Sequence, residues 1–294
     1  MKAYLRLIRW PNVLMIGAIQ YVWRYFLVFD YITTNESLFN ELQFALLVFA
    51  SMLIASGGYA INDYFDVKTD MINKGKELIV STLIKRTHVL RFHIFSAIIA
   101  SLICFIVGWQ LHLLMWSLLG PFAILLLYLY SLYFKRTFFW GNALISLLIA
   151  FLVFALAFLD INLNKLPIRA LNILILTGGF AFTTNLIREI IKDIEDRKGD
   201  KLIGCKTIPI VLGVDKTKKL VIGLILFCQA AILVVGFYFK PDIIGLLYAF
   251  ILLVAPLSWC IYLVKFSKSN QQFHTASSWM KVIMLIGMLT ILLI

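Results

Sequence analysis

The chain has 294 residues, of which 62% are hydrophobic and only 14% charged, and its mean hydropathy is +0.94. Soluble domains are about a quarter charged and about half apolar, so a soluble fold, a disordered chain and a low-complexity chain are all excluded. The net charge of +12, from 27 Lys and Arg against 15 Asp and Glu, forms no basic stripe on a soluble domain; it is the excess that membrane proteins collect in cytoplasmic segments, and nucleic acid is not an expected partner.

A hydrocarbon core of about 30 Å takes roughly 20 apolar residues to cross as a helix, and nine runs meet that need. The first, 13–30, follows Lys2, Arg6 and Arg9 and carries Trp23-Arg24-Tyr25 with no small-x-small cleavage site. It therefore reads as a retained membrane helix and not as a removable leader. The second, 42–62, runs into the acidic group Asn62-Asp63-Tyr64-Phe65-Asp66-Val67-Lys68-Thr69-Asp70. The next three, 89–108, 112–133 and 138–159, are joined by short connections such as Gly108-Trp109-Gln110-Leu111, which make consecutive helices antiparallel neighbours. The sixth, 168–190, runs into a second acidic group from Arg188-Glu189 through Lys192-Asp193-Ile194-Glu195-Asp196 to Asp200. Runs 217–238, 242–265 and 276–294 complete the chain. The expected fold is all-α: a polytopic membrane protein with nine transmembrane helices in a single bundle and two cytoplasmic Asp-rich loops, forming one domain over residues 1–294.

Orientation follows from the cations. With the N-terminus inside, 23 of the 27 Lys and Arg fall on the inner side, leaving Arg24, Lys165, Arg169 and Lys240 outside. The positive-inside rule then puts both acidic segments in the cytoplasm. The four cysteines stand far apart and the four histidines form no ligand constellation, so zinc and haem are not expected.

Ten of the 15 acidic residues lie in or beside the two connections. Asp63, Asp66 and Asp70 are spaced i, i+3, i+7, and Asp193, Asp196 and Asp200 repeat that spacing 130 residues later. On a helix this puts three carboxylates on one face. Such a face is costly alone, because like charges repel and carboxylates near a helix C-terminus oppose the macrodipole. A divalent cation removes the conflict, and oxygen-only ligands favour Mg²⁺ or Ca²⁺; Mg²⁺ in particular is shared between a few carboxylates and substrate phosphates.

The run Asn62 to Asp70 resembles the first signature of the UbiA superfamily of intramembrane prenyltransferases, and Asp193 to Asp200 resembles the second. Arg9-Trp10-Pro11-Asn12 is similar to the family's R-P-x-N segment at helix one. Tyr130-Ser131 followed by Lys135-Arg136 is similar to its Y-x-x-x-K-R segment, with one extra residue. Within the superfamily, the stretch Arg188 to Gly213 is most similar to digeranylgeranylglyceryl phosphate synthases. One departure stands out: Glu77 occupies the position of an expected diphosphate-facing Arg, with Lys74 and Lys76 nearby as substitutes.

The resemblance implies an Mg²⁺-dependent prenyltransferase, an integral protein of the plasma membrane, whose partners are a polyprenyl diphosphate, a lipophilic acceptor and the lipid bilayer. Asn62, Asp63, Asp66 and Asp70 would hold one metal, and Asp193, Asp196 and Asp200 the other, with Asp63, Asp66, Asp193 and Asp196 catalytic. Asn12, Asn62, Lys135, Arg136, Arg188 and Lys192 would bind substrate. Asn12 serves equally as an N-cap of helix one, and Arg188 and Lys192 read equally as cytoplasmic charge. Tyr59, Tyr64 and Tyr130 are placed to face a developing allylic cation. The expected acceptor is a glyceryl phosphate bearing one prenyl chain, with an aromatic quinone precursor as the alternative. An alcohol acceptor must lose a proton, which Glu189 or Glu195 could take. The rival of another class, a transporter, would rest on Gly57-Gly58, Gly178-Gly179 and Pro121 as helix breaks. The D-G-x-x-A-R signature of phosphatidyltransferases is absent.

Overall fold

In the computed structural model, residues 1–29, 37–73, 78–160, 168–239 and 243–289 are described. Lys74, Lys76 and Glu77 lie outside them, as do Lys165 and Lys240 of the charge count. The described residues are almost entirely helical, and their one β feature is an isolated bridge between Val80 and Ile84. With so few polar side chains to satisfy it, the backbone closes its hydrogen bonds within helices, as lipid requires.

The helices are α1 (Lys2–Leu7), α2 (Trp10–Trp23), α3 (Glu41–Phe65), α4 (Val67–Asn73), α5 (Arg86–Gln110), α6 (Leu119–Leu132), α7 (Trp140–Asp160), α8 (Ile168–Leu202), α9 (Ile208–Leu212), α10 (Val214–Phe239), α11 (Ile243–Tyr248), α12 (Ala255–Phe266) and α13 (Asn270–Met288). A π-helical turn, Arg24–Val28, extends α2, and another, Ala249–Val254, joins α11 to α12. Each of the nine expected spans overlaps helix. Among the described residues, however, six stretches are long and apolar enough to cross a bilayer: Glu41–Phe65, Arg86–Gln110, Leu114–Arg136, Ile168–Leu202, Val214–Phe237 and Gly245–Phe266. α2 falls short because it gives way to its π turn, and α13 because its first turns are polar.

The two Asp-rich segments are helices where loops were expected. Backbone bonds from Asp66 N to the Asn62 carbonyl (3.0 Å) and from Asp70 N to the Asp66 carbonyl (2.8 Å) carry α3 into α4 with little interruption. α8 runs unbroken for 35 residues, about 52 Å at 1.5 Å per residue. That exceeds the hydrocarbon thickness, so its charged end extends past the apolar span.

The chain divides into two compact units, Met1–Lys135 with Phe151–Asn172, and Arg136–Ala150 with Ile173–Ile294. In the first, α3 packs on α5 and α6 through small residues. A Cβ on Gly57 would lie 3.0 Å from Ser96 Oγ, and one on Gly58 would lie 3.0 Å from Leu127. α3 passes through both glycines without a break, so they serve close packing. Gly178-Gly179 likewise lies inside the continuous α8. Arg24, counted from sequence as an outer-side cation, is 1% exposed. Its Nε is 3.4 Å from Asp160 Oδ2, its Nη2 donates to the Phe39 carbonyl (2.7 Å), and its guanidinium lies 4.1 Å from the Phe44 ring. A buried side chain held this way reports packing and not loop charge.

In the second unit, Ile187, Ile190, Ile191 and Ile194 of α8 pack with Val221 and Ile225 of α10, Leu257 and Cys260 of α12, and Met280 and Ile283 of α13. The i, i+3, i+4 spacing gives α8 one apolar face. At about 100° per residue the acidic triad falls on the opposite side.

Candidate active site

The first acidic triad lies on the α3–α4 helix. Asp63, Asp66 and Asp70 point within about 60° of one another at 100° per residue. Around them the first unit assembles cations and amides from distant parts of the chain. Arg9 Nη2 lies 3.0 Å from Asp63 Oδ1. Lys135 Nζ bonds Asp66 Oδ2 and lies 3.3 Å from Asn62 Oδ1. The Asn62 amide donates to the same Asp66 oxygen at 2.8 Å. Asp63 and Asp66 are both about 15% exposed, so each carboxylate is held but reachable.

Arg9 reaches Asp63 because its own backbone is turned. It sits between α1 and α2 with φ 51°, left-handed for a residue with a Cβ, and it is the N-cap of α2. That conformation costs on the order of 1–2 kcal/mol and persists only where surrounding contacts hold it. The guanidinium lies 4.7 Å from the Tyr59 ring, and the Tyr59 hydroxyl accepts a hydrogen bond from the Asn12 amide at 3.3 Å. Asn12 is therefore not the N-cap; it joins α2 to the acidic helix through Tyr59. Tyr64 instead stacks under Arg86 (4.5 Å), and Tyr130 is buried. Arg136 begins the second unit, is exposed, and accepts the Lys206 N–H at its backbone carbonyl (2.8 Å).

The second triad occupies α8, and Asp193 is held by a residue from α7: Asn142 Nδ2 donates to Asp193 Oδ2 at 2.8 Å. Glu189 shares the triad's side of the helix, about 40° from Asp193. It gathers both expected phosphate cations, Arg188 at 2.5 Å and Lys192 at 3.5 Å. Glu195 points about 160° away from Asp193, where its carboxylate meets His274 Nδ1 of α13 at 3.0 Å.

As the side chains stand, no three His, Cys, Asp or Glu groups among the described residues converge to hold a metal. The donor set nonetheless suits a hard cation. It offers carboxylate and amide oxygens only, and Mg²⁺ is commonly bound by one or two carboxylates, with waters and substrate phosphates completing its octahedron. In the first unit Arg9 and Lys135 stand where such a cation would otherwise balance Asp63 and Asp66.

Sequence reasoning missed Arg9 as a partner of Asp63, and missed Asn142 and His274. Asn142 had a signal, a polar side chain at the head of an apolar run with Ser146 one turn on. The others are paired across long separations that no spacing rule reveals.

Residues 22–285 match the UbiA prenyltransferase family. The chain belongs to that family. It is 30% identical over 292 residues to a digeranylgeranylglyceryl phosphate synthase of Methanosarcina mazei, covering 94% of each chain. It is 32% identical over 304 residues to one of Saccharolobus solfataricus, covering 100% of this chain and 96% of that one. Its fold is similar to that of a UbiA homolog from Archaeoglobus fulgidus bound to DMAPP and Mg²⁺, with a TM-score of 0.60, 18% identity and 99% of each chain covered. The protein is a prenyltransferase and an integral membrane protein. The transporter reading falls with that, and the unbroken helices at Gly57-Gly58 and Gly178-Gly179 agree.

Proposed function

We propose that residues 1–294 act as one enzyme that transfers a prenyl group from a polyprenyl diphosphate to geranylgeranylglyceryl phosphate, using Mg²⁺, in the plasma membrane with both acidic triads cytoplasmic. The observation that supports it most is the grouping of Arg9, Asn12, Asn62 and Lys135 about Asp63 and Asp66 in a family of prenyltransferases. The names of the Methanosarcina mazei and Saccharolobus solfataricus relatives, digeranylgeranylglyceryl phosphate synthases, support this choice of acceptor.

In this reading Asn62, Asp63, Asp66 and Asp70 hold one Mg²⁺, and Asp193, Asp196 and Asp200 hold another. When bound, Mg²⁺ would supply neutralisation of the charge that develops on the leaving diphosphate. The chain's own groups do the rest. Arg9 and Lys135 keep Asp63 and Asp66 oriented before substrate arrives, and their charge suits diphosphate oxygens. Arg188 and Lys192, gathered by Glu189 on α8, are the cations this helix offers to substrate phosphate, and Arg136 of the same unit is exposed and offers another. Tyr59 presents a ring beside the first triad, the geometry that favours a cation.

The reaction breaks the C1–O bond of the donor and joins C1 to the acceptor's hydroxyl oxygen, which gives up its proton. Both candidate bases are paired, Glu189 with Arg188 and Lys192 and Glu195 with His274; Glu189 is the one that shares the triad's side of α8, whereas Glu195 faces α13.

The test is incubation of the purified protein with labelled geranylgeranyl diphosphate and a panel of acceptors. A diprenyl ether lipid formed from geranylgeranylglyceryl phosphate is the expected product. Prenylation of hydroxybenzoate, dihydroxynaphthoate or homogentisate with no reaction on the glyceryl phosphate would overturn the acceptor and leave the prenyl transfer standing.

A further inference from the structure

We infer that Asn142, backed by Ser146 and Asn185, is a positioning residue that aims the Asp193 carboxylate at its metal. The inference rests on the metal role of Asp193 just proposed and concerns how this chain builds it. Asn142 and Ser146 lie one turn apart on α7, and Asn185 lies two turns before Asp193 on α8, all in the second unit. Their exposures are 6%, 0% and 1%.

The bonds form a directed series. Asn185 Nδ2 donates to Ser146 Oγ (3.1 Å), and Ser146 Oγ donates to the Asn142 carbonyl (2.6 Å). Asn142 Nδ2 then donates to Asp193 Oδ2 (2.8 Å). The Ser146 bond ends on the Asn142 backbone carbonyl and anchors Asn185 to the same turn of α7, while the Asn142 side-chain amide makes the contact with Asp193. That amide takes up one carboxylate oxygen of Asp193 and fixes the plane in which Oδ1 is presented.

Packing alone does not account for this ladder. Buried polar groups between apolar helices destabilise a fold unless every one is bonded, and here Asn185 Oδ1 is buried with no hydrogen-bond partner among the described residues. An apolar contact between α7 and α8 would serve the fold better. What Asn142 provides that a leucine could not is a donor on Asp193. Partners that orient a ligating carboxylate from outside the metal's own shell characteristically govern its affinity.

The experiment is a Mn²⁺ titration of the full-length protein in detergent, followed by electron paramagnetic resonance, without prenyl substrate. Asn142→Leu keeps the branched shape and removes the donor. It is expected to raise the half-saturating Mn²⁺ concentration about 10-fold, with the metal-free melting temperature held. Ser146→Ala should raise it about 3-fold, a milder loss of the same support. Asn142→Gln, which keeps an amide donor, should recover part of the loss. Unchanged Mn²⁺ affinity in Asn142→Leu would overturn the inference; if that variant does not accumulate, unchanged affinity in Ser146→Ala does so. Mn²⁺ uptake by the native chain that is lost in Asp193→Asn upholds the underlying metal role whatever Asn142 does. No uptake by the native chain would remove both.

Discussion

Asp63 and Asp66 each carry a counter-cation drawn from far along the chain, Arg9 from 54 residues away and Lys135 from 69. Charge-assisted bonds of this kind contribute about 1.5–3 kcal/mol each, so Arg9→Ala and Lys135→Ala should each lower kcat/KM by roughly 10- to 100-fold. Steady-state kinetics at saturating Mg²⁺ check this, and rates within about 2-fold of native would mean that these cations only decorate the site. Glu189 and Glu195 separate in the same assay. Glu189→Gln should cut kcat by about 100-fold, as loss of a general base does, while Glu195→Gln should leave it nearly unchanged. The triads themselves were legible in the sequence because helical periodicity alone puts i, i+3, i+7 on one face. Their partners were not, since Arg9, Lys135 and Asn142 approach only after the chain has folded. Asn12 shows the same limit: its position before an apolar run suggests a cap, but Arg9 caps α2 and the Asn12 amide goes to Tyr59.

Hydropathy located the elements and set the polar ends of α8 and α13 too short, because it registers the apolar part of a helix and stops where polar residues begin. α8 continues through the acidic triad to Leu202, and α13 starts at Asn270 behind a reciprocal Ser269–Gln272 capping box that an apolar window does not see. Two packing predictions belong here. Arg24 and Asp160 are a buried pair tying the end of α2 to the end of α7. Arg24→Met alone leaves Asp160 without its cation and should destabilise by about 3–5 kcal/mol, whereas Arg24→Met with Asp160→Leu should recover most of that loss. Thermal unfolding in detergent would show it, and equal melting temperatures for both variants would contradict it. In the second unit a Cβ on Gly287 would lie 2.0 Å from the Phe180 ring. Gly287→Ala should therefore cost about 1–3 kcal/mol through displacement of that ring.

For the molecule as a whole, composition was enough to establish a helical membrane protein, since 14% charged residues cannot cover a soluble surface of this size. Sidedness is carried by the cations: removing the buried Arg24 from the outer set leaves three there against 23 inside, so the asymmetry strengthens. Cysteine labelling beside Asp63 and Asp196 should report both as cytoplasmic, and labelling from opposite faces would break the scheme. The central claim is that the two carboxylate triads act through Mg²⁺ in prenyl transfer. Its most direct test is turnover of labelled geranylgeranyl diphosphate by the purified chain and by Asp66→Ala/Asp196→Ala, each with Mg²⁺, with EDTA, and with Mg²⁺ restored. The native chain should lose product formation in EDTA and regain it with Mg²⁺, while the double variant forms none in any condition. Full turnover in EDTA, or an active double variant, would contradict it.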